Sequence, residues 1–193
     1  GVLAIKDLRE NGVAPEALLS LMARLGSSQP IELRMDLDTL ADGFELSQFG
    51  ASPTKFDAED LWPLTREANQ ARPFEVVRDR IAALGVPAEL AERFWRVASQ
   101  NITKLDDLGG WWEIFSKGAE PQIDPEDADF ITEAMKLLPP PPYSDTSWAE
   151  FTTAVKEATG RKGKGLFMPL RKALTGQAHG PDMSDVMPLL QVV

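Results

Sequence analysis

The sequence predicts an all-α protein. Three observations predict the fold class. Apolar residues recur at three- and four-residue spacing almost throughout. Pro and Gly stand where such stripes begin and end. No long alternating strand pattern with hairpin turns occurs, and no repeat of solenoid period.

The elements follow in order. Val2, Ile5 and Leu8 recur at three-residue spacing, so the chain opens in helix. Pro15 takes a favoured first-turn position, and Leu18, Leu19, Met22 and Leu25 form the next stripe until Gly26 ends it. Residues 36–41 read as a short helix stopped by Gly43. Residues 58–71 and 73–84 follow, the second closed by Gly85, and Pro87 opens a helix reaching Asn101. Thr103 and Asp106 form a capping box for a helix that carries Trp111 and Trp112. Residues 125–138 make another helix, and residues 139–142, all proline, a stiff break. Ser147 and Glu150 give a second capping box, for a helix to Thr159. Residues 164–174 and 182–190 close the chain.

A length of 193 residues allows one large domain or two small ones, and a hydrophobic fraction of 43 % supports a real core. There are no cysteines, which excludes disulfides, thiolate metal sites and a cysteine nucleophile, and fits a reducing compartment. No apolar run reaches the ~18 residues of a membrane span. The N-terminal stretch lacks the basic region and long apolar core of a signal peptide. The chain opens on Gly1 rather than Met, inside a helical pattern, so a fragment or a processed chain is expected. A cytoplasmic monomer without membrane contact is expected.

Charge is unevenly spread. From Phe151 to Val193 there are six Lys/Arg against three acids, about +3, whereas the whole chain has a formal net charge of -10. Residues 1–150 therefore carry about -13. The basic block, residues 158–183, is glycine-punctuated and long enough to track a nucleic-acid backbone. Basic residues near helix ends also complement the helix dipole or solvate a surface, so charge leaves both readings open.

The wording of the block favours the first. It resembles the C-terminal anticodon-binding region of bacterial glutamate–tRNA ligases. The elements that carry the likeness are Gly163-Lys164, Phe167-Met168-Pro169-Leu170-Arg171, Ala173-Leu174-Thr175-Gly176 and His179-Gly180-Pro181. Residues 44–57 are similar to the same family's stem-contact region, through Phe44, Leu46, Phe49, Ser52-Pro53 and Phe56-Asp57. Residues 15–19 with Leu25-Gly26 look like the family's helix after its second ATP-binding signature. The resemblance implies a stem-contact domain over residues 1–66 and a helical anticodon-binding domain over 67–193.

It also implies what the chemistry is and where it is not. A class I ligase needs a His-x-Gly-His-type turn and a Lys-Met-Ser-Lys-type loop to handle ATP. Neither occurs: the one histidine is His179, and there is no Lys-x-Ser-Lys. Gly160, Gly163 and Gly165 follow a helix rather than a strand, which argues against a nucleotide fold. The acidic runs at Asp106-Asp107 and Asp124 to Asp129 read as solvated helix faces, and the second lacks the glycine and terminal Glu of a calcium loop. No catalytic residue, no metal ligand and no cofactor is therefore assigned, and the chain alone is expected to be inactive. The parent enzyme would use ATP with magnesium and attach glutamate to tRNA.

The resemblance makes Arg171 the cationic base reader, with Thr175, Gly180, Pro181 and Met183 in the turn and helix start beside the bases. Lys164, Arg161 and Lys172 are the phosphate-contact candidates. Each has a structural alternative. Arg171 also suits an exposed ion pair, and Gly176 and Gly180 a positive φ. Phe167 and Met183 also suit the core, His179 reads as a turn residue, and Trp95, Trp111 and Trp112 read as core before base platform. The family often carries an arginine just before the position of Lys104-Leu105 that checks the third anticodon base; here Gln100 and Asn101 stand there. Without that charge-assisted contact, discrimination between glutamate and glutamine tRNAs is expected to be relaxed. The partners implied are glutamate tRNA isoacceptors, glutamine tRNA in addition, and the catalytic domain of the same enzyme. The acidic background supports an alternative, a helical protein-interaction module derived from such a domain.

Overall fold

The computed structural model describes residues 4–192, so Val2 lies outside the described residues. Eleven α-helices are assigned among them: α1 (Ile5–Glu10), α2 (Pro15–Arg24), α3 (Leu37–Ala41), α4 (Leu61–Gln70), α5 (Phe74–Ala83), α6 (Ala88–Ala98), α7 (Asp107–Lys117), α8 (Ala128–Met135), α9 (Ser147–Thr159), α10 (Lys164–Thr175) and α11 (Met183–Val186). A lone antiparallel bridge joins Ser27 to Phe49, and there is no strand among the described residues. No helix of the described residues is long and apolar enough to cross a membrane.

The differences from the sequence reading are local. The helices expected over 58–71, 87–101, 125–138 and 182–190 each contain a single 3-10 turn, at Ala58–Asp60, Ser99–Asn101, Pro125–Asp127 and Met187–Leu189. Pro188 shows why: it has no N–H for the Ser184 carbonyl, so α11 stops short and the chain tightens. Both expected capping boxes are replaced. The Asp107 carboxylate accepts from the N–H of Thr103 and of Lys104, each at 2.9 Å, one residue beyond the expected Asp106. The Ser147 hydroxyl accepts from the Ser144 N–H at 2.8 Å, and the Glu150 N–H bonds the Thr146 carbonyl.

The chain forms two compact units, dividing within α5. The first runs to Val77 and takes in Ile102–Leu108. In it α2 packs on α4. Ala17, Leu21, Leu61 and Ala68 are wholly buried between them, with Leu8, Val13, Ala14 and Leu64 around. The alanines let the two backbones approach. The Thr65 hydroxyl accepts the buried Ala14 N–H at 3.2 Å. Arg72 grips both Glu16 oxygens at 3.0 and 2.9 Å, and this bond holds the Glu16 carboxyl below its ordinary pKa against the opposing effect of burial. Arg66 and Asn69 of α4 donate to Thr103 at 3.2 and 2.8 Å, which anchors the returning segment.

The second unit comprises Arg78–Asn101 and the chain from Gly109 onward. α6 buries Ala91, Phe94, Trp95 and Ala98, a helical stripe. Phe94 meets Trp112 and Phe115 edge-on, with ring centroids 5.5 and 6.1 Å apart. Trp95 and Trp112 are thus core residues. α10 packs against α8 and α9, and α11 against α9 and α6. Arg93 of α6 pairs with Asp145 at 2.6 Å and reaches Asp185 of α11 at 3.8 Å.

Candidate nucleic-acid interface

The basic block folds into the helix α10 and its flanking turns. α9 ends at Gly160 with φ 73°, and α10 starts at Gly163 with φ 58°, conformations that L side chains rarely adopt. Pro169 sits inside α10 and has no N–H for the carbonyl four residues back, that of Gly165. The Arg161 Nη1 donates to that carbonyl at 3.2 Å. Arg161 also pairs with Asp127 at 2.5 Å and lies 4.0 Å over the Phe130 ring. It closes the gap that the proline leaves.

Lys172 lies on the same side of α10. Its ammonium donates to both oxygens of Asp124, at 2.8 and 2.7 Å, and its carbonyl accepts the Gln122 N–H at 3.1 Å. The acidic segment is held there by Gly176, the C-cap of α10. Its φ is 67°, and a Cβ on it would stand 2.7 Å from the Glu120 carbonyl oxygen. Close approach as well as conformation requires glycine at 176.

The other side of α10 is open. Lys164 is exposed, and no acid of the described residues lies within ion-pair distance of it. Lys164, Phe167, Met168 and Arg171 line a pocket of about 190 Å³ with Trp148, Asp182 and Met183. Arg171 is half-buried at its edge, and Nη2 donates to the Pro181 carbonyl at 2.6 Å. Burial pulls the Arg171 guanidinium below its ordinary pKa, and the nearby Asp182 carboxylate partly offsets this. Asp182 is also the N-cap of α11, accepting the Ser184 N–H at 2.8 Å. Pro181 therefore stands immediately before the cap.

The expected site residues thus fall into groups. Arg171, Gly180, Pro181, Met183 and Lys164 come together around the pocket or its adjoining turn. Arg161 and Lys172 stand on the ion-paired side. Thr175 is buried, its hydroxyl donating to the Arg171 carbonyl at 2.8 Å, so it shapes the helix end. His179 is an exposed turn residue.

A model of the family described as anticodon binding domain matches residues 58–191. The chain belongs to that family. It is 86 % identical over 193 residues to glutamate–tRNA ligase 1 of Paracoccus denitrificans and 74 % identical to glutamate–tRNA ligase 2 of Cereibacter sphaeroides. It spans 44 % of the length of each of these relatives. Its fold is similar to the crystal structure of a glutamate tRNA ligase from Elizabethkingia meningosepticum, with a TM-score of 0.72 at 23 % identity, covering 94 % of this chain and 39 % of that one.

Two aromatic residues of this anticodon binding domain were not placed at the site by the sequence. Trp111 donates from Nε1 to the Asn101 carbonyl at 3.4 Å, and its Cη2 would stand 3.5 Å from a Cβ on Gly180. The indole therefore reaches from the exposed turn of Gln100 and Asn101 to the turn before Pro181. Trp148 lines the pocket from the first turn of α9. The sequence reading does not single it out, and the tertiary arrangement shows that it borders an opening.

Proposed function

We propose that this chain is the tRNA-binding C-terminal part of a glutamate–tRNA ligase and that it reads the anticodon of glutamate tRNA. The observation that carries this reading is the α10 pocket, where Arg171 is held beside Pro181 and Lys164 is unpaired. Sequence-specific RNA recognition targets unstacked loop bases, through stacking and hydrogen bonds to base edges. A half-buried guanidinium presents several donors in a fixed plane, which suits a base edge better than a mobile ammonium does. In this reading residues 1–66 contact the stem and 67–193 the anticodon loop. Arg171 reads a base, Gly180, Pro181 and Met183 bound its space, and Thr175 sets the helix end. Lys164 takes a phosphate, while Arg161 and Lys172 serve the fold through their ion pairs. Activation of glutamate with ATP and magnesium belongs to a class I catalytic domain outside this chain, working as one monomer in the cytoplasm.

The test is titration of a labelled glutamate-tRNA transcript with this chain, at low and physiological salt, beside a transcript with altered anticodon bases. Salt-sensitive binding that weakens with the altered anticodon is expected. Equal binding to both transcripts, or no binding in low salt, overturns the reading. Gln100 and Asn101 stand in place of an expected arginine, and so glutamine tRNA should bind within tenfold of glutamate tRNA. A wider gap would remove the proposal of relaxed discrimination.

A further inference from the structure

Phe167 is 46 % exposed on a helix that buries Leu166, Leu170 and Leu174. It has Lys164 three residues before it and Arg171 four after, so all three share one side of α10. One side of its ring is backed by Trp148, with centroids 6.3 Å apart and planes tilted by 42°. Met168 and Met183 add apolar lining, and the pocket of about 190 Å³ has room for about six waters at ~30 Å³ each. A planar heterocycle fits such a space.

The charges select what enters. An apolar protein side chain on Phe167 would cover Lys164 and Arg171 without pairing them, at a desolvation cost. A bare phosphate in the pocket would face the Asp182 carboxylate. A nucleobase meets neither objection. Its π-face stacks on Phe167, its acceptors face Arg171, and its N–H faces Asp182. The Asp182 Oδ1 is taken by the Ser184 N–H, whereas Oδ2 has no bond among the described residues. The phosphate of the same nucleotide then falls to Lys164 at the rim.

We infer that Phe167, backed by Trp148, is a stacking platform for one unstacked base of the bound RNA, and that Asp182 accepts from the edge of that base. This rests on the anticodon-reading function proposed above. The experiment compares the unaltered chain, Phe167→Tyr and Phe167→Leu on the glutamate-tRNA transcript and on one with abasic residues in the anticodon loop. Thermal unfolding checks that the variants fold. Base–aromatic stacking leads us to expect about a tenfold loss of affinity for Phe167→Leu and near-parental binding for Phe167→Tyr. The slope of log K against log salt should stay as in the parent, because no phosphate contact is removed. On the abasic transcript all three proteins should bind alike. Parental affinity of Phe167→Leu, or an equal loss on the abasic transcript, overturns the platform while leaving anticodon reading in place. Failure of the unaltered chain to bind the intact transcript overturns the reading itself.

Discussion

On one side of α10, Arg161 and Lys172 meet carboxylates at 2.5 and 2.7 Å; on the other, Lys164 meets none and Arg171 borders an open pocket. Both sides come from one basic run, and the sequence charge of the block does not distinguish them. The acids that do so are Asp124 and Asp127, well back in the chain. A cation held by a carboxylate must give up that partner to meet a phosphate, so its net gain from RNA is small. The contrast gives the helix a direction: nucleic acid should approach the side of Lys164, Phe167 and Arg171.

Removing what holds the acidic segment should disturb the contrast most. In Gly176→Ala the new methyl meets the Glu120 carbonyl at 2.7 Å in a conformation with φ 67°. Strain and overpacking together should cost about 2–4 kcal/mol. Chemical denaturation measures this, and a loss under about 1 kcal/mol would show that the segment is not fixed at this point. Arg161→Ala comes next. It removes the pair with Asp127, the bond to the Gly165 carbonyl and the contact with Phe130, for about 2 kcal/mol. The salt dependence of tRNA binding should hardly move. A large fall in that dependence with unchanged stability would make Arg161 an RNA contact.

Much of this architecture is legible in the sequence. α2 begins at Pro15 and ends just before Gly26, and α10 extends one residue beyond the expected end. Proline and glycine act locally, so they can be read locally. The caps were less legible because Asp106 and Asp107 are adjacent and tertiary geometry chooses between them. The pairing of Lys172 with Asp124 crosses a long stretch of chain, and no local pattern encodes it. The pocket was half legible. Family wording picked out Arg171, Met183 and Lys164, but the exposure of Phe167 and the placing of Trp148 depend on how α9 meets α10.

The finest test compares two lysines of the same helix. Each phosphate contact to a single strand contributes about 0.7 to the slope of log K against log salt. Lys164→Ala should lower that slope by about 0.7, and Lys172→Ala by clearly less, since Asp124 already holds its ammonium. Asp124→Asn then sharpens the comparison, because it removes the competing charge but keeps the side chain's size. It should free Lys172 for RNA and raise the slope, by up to about 0.7 if a full contact forms. The stability change should be small, because the Asp124 end of the pair is half in solvent. Equal slopes for the two lysine variants, with no rise in Asp124→Asn, would mean that the ion pair opens freely in the complex. The two sides of α10 would then be alike to RNA, and the direction of approach would have to be set elsewhere.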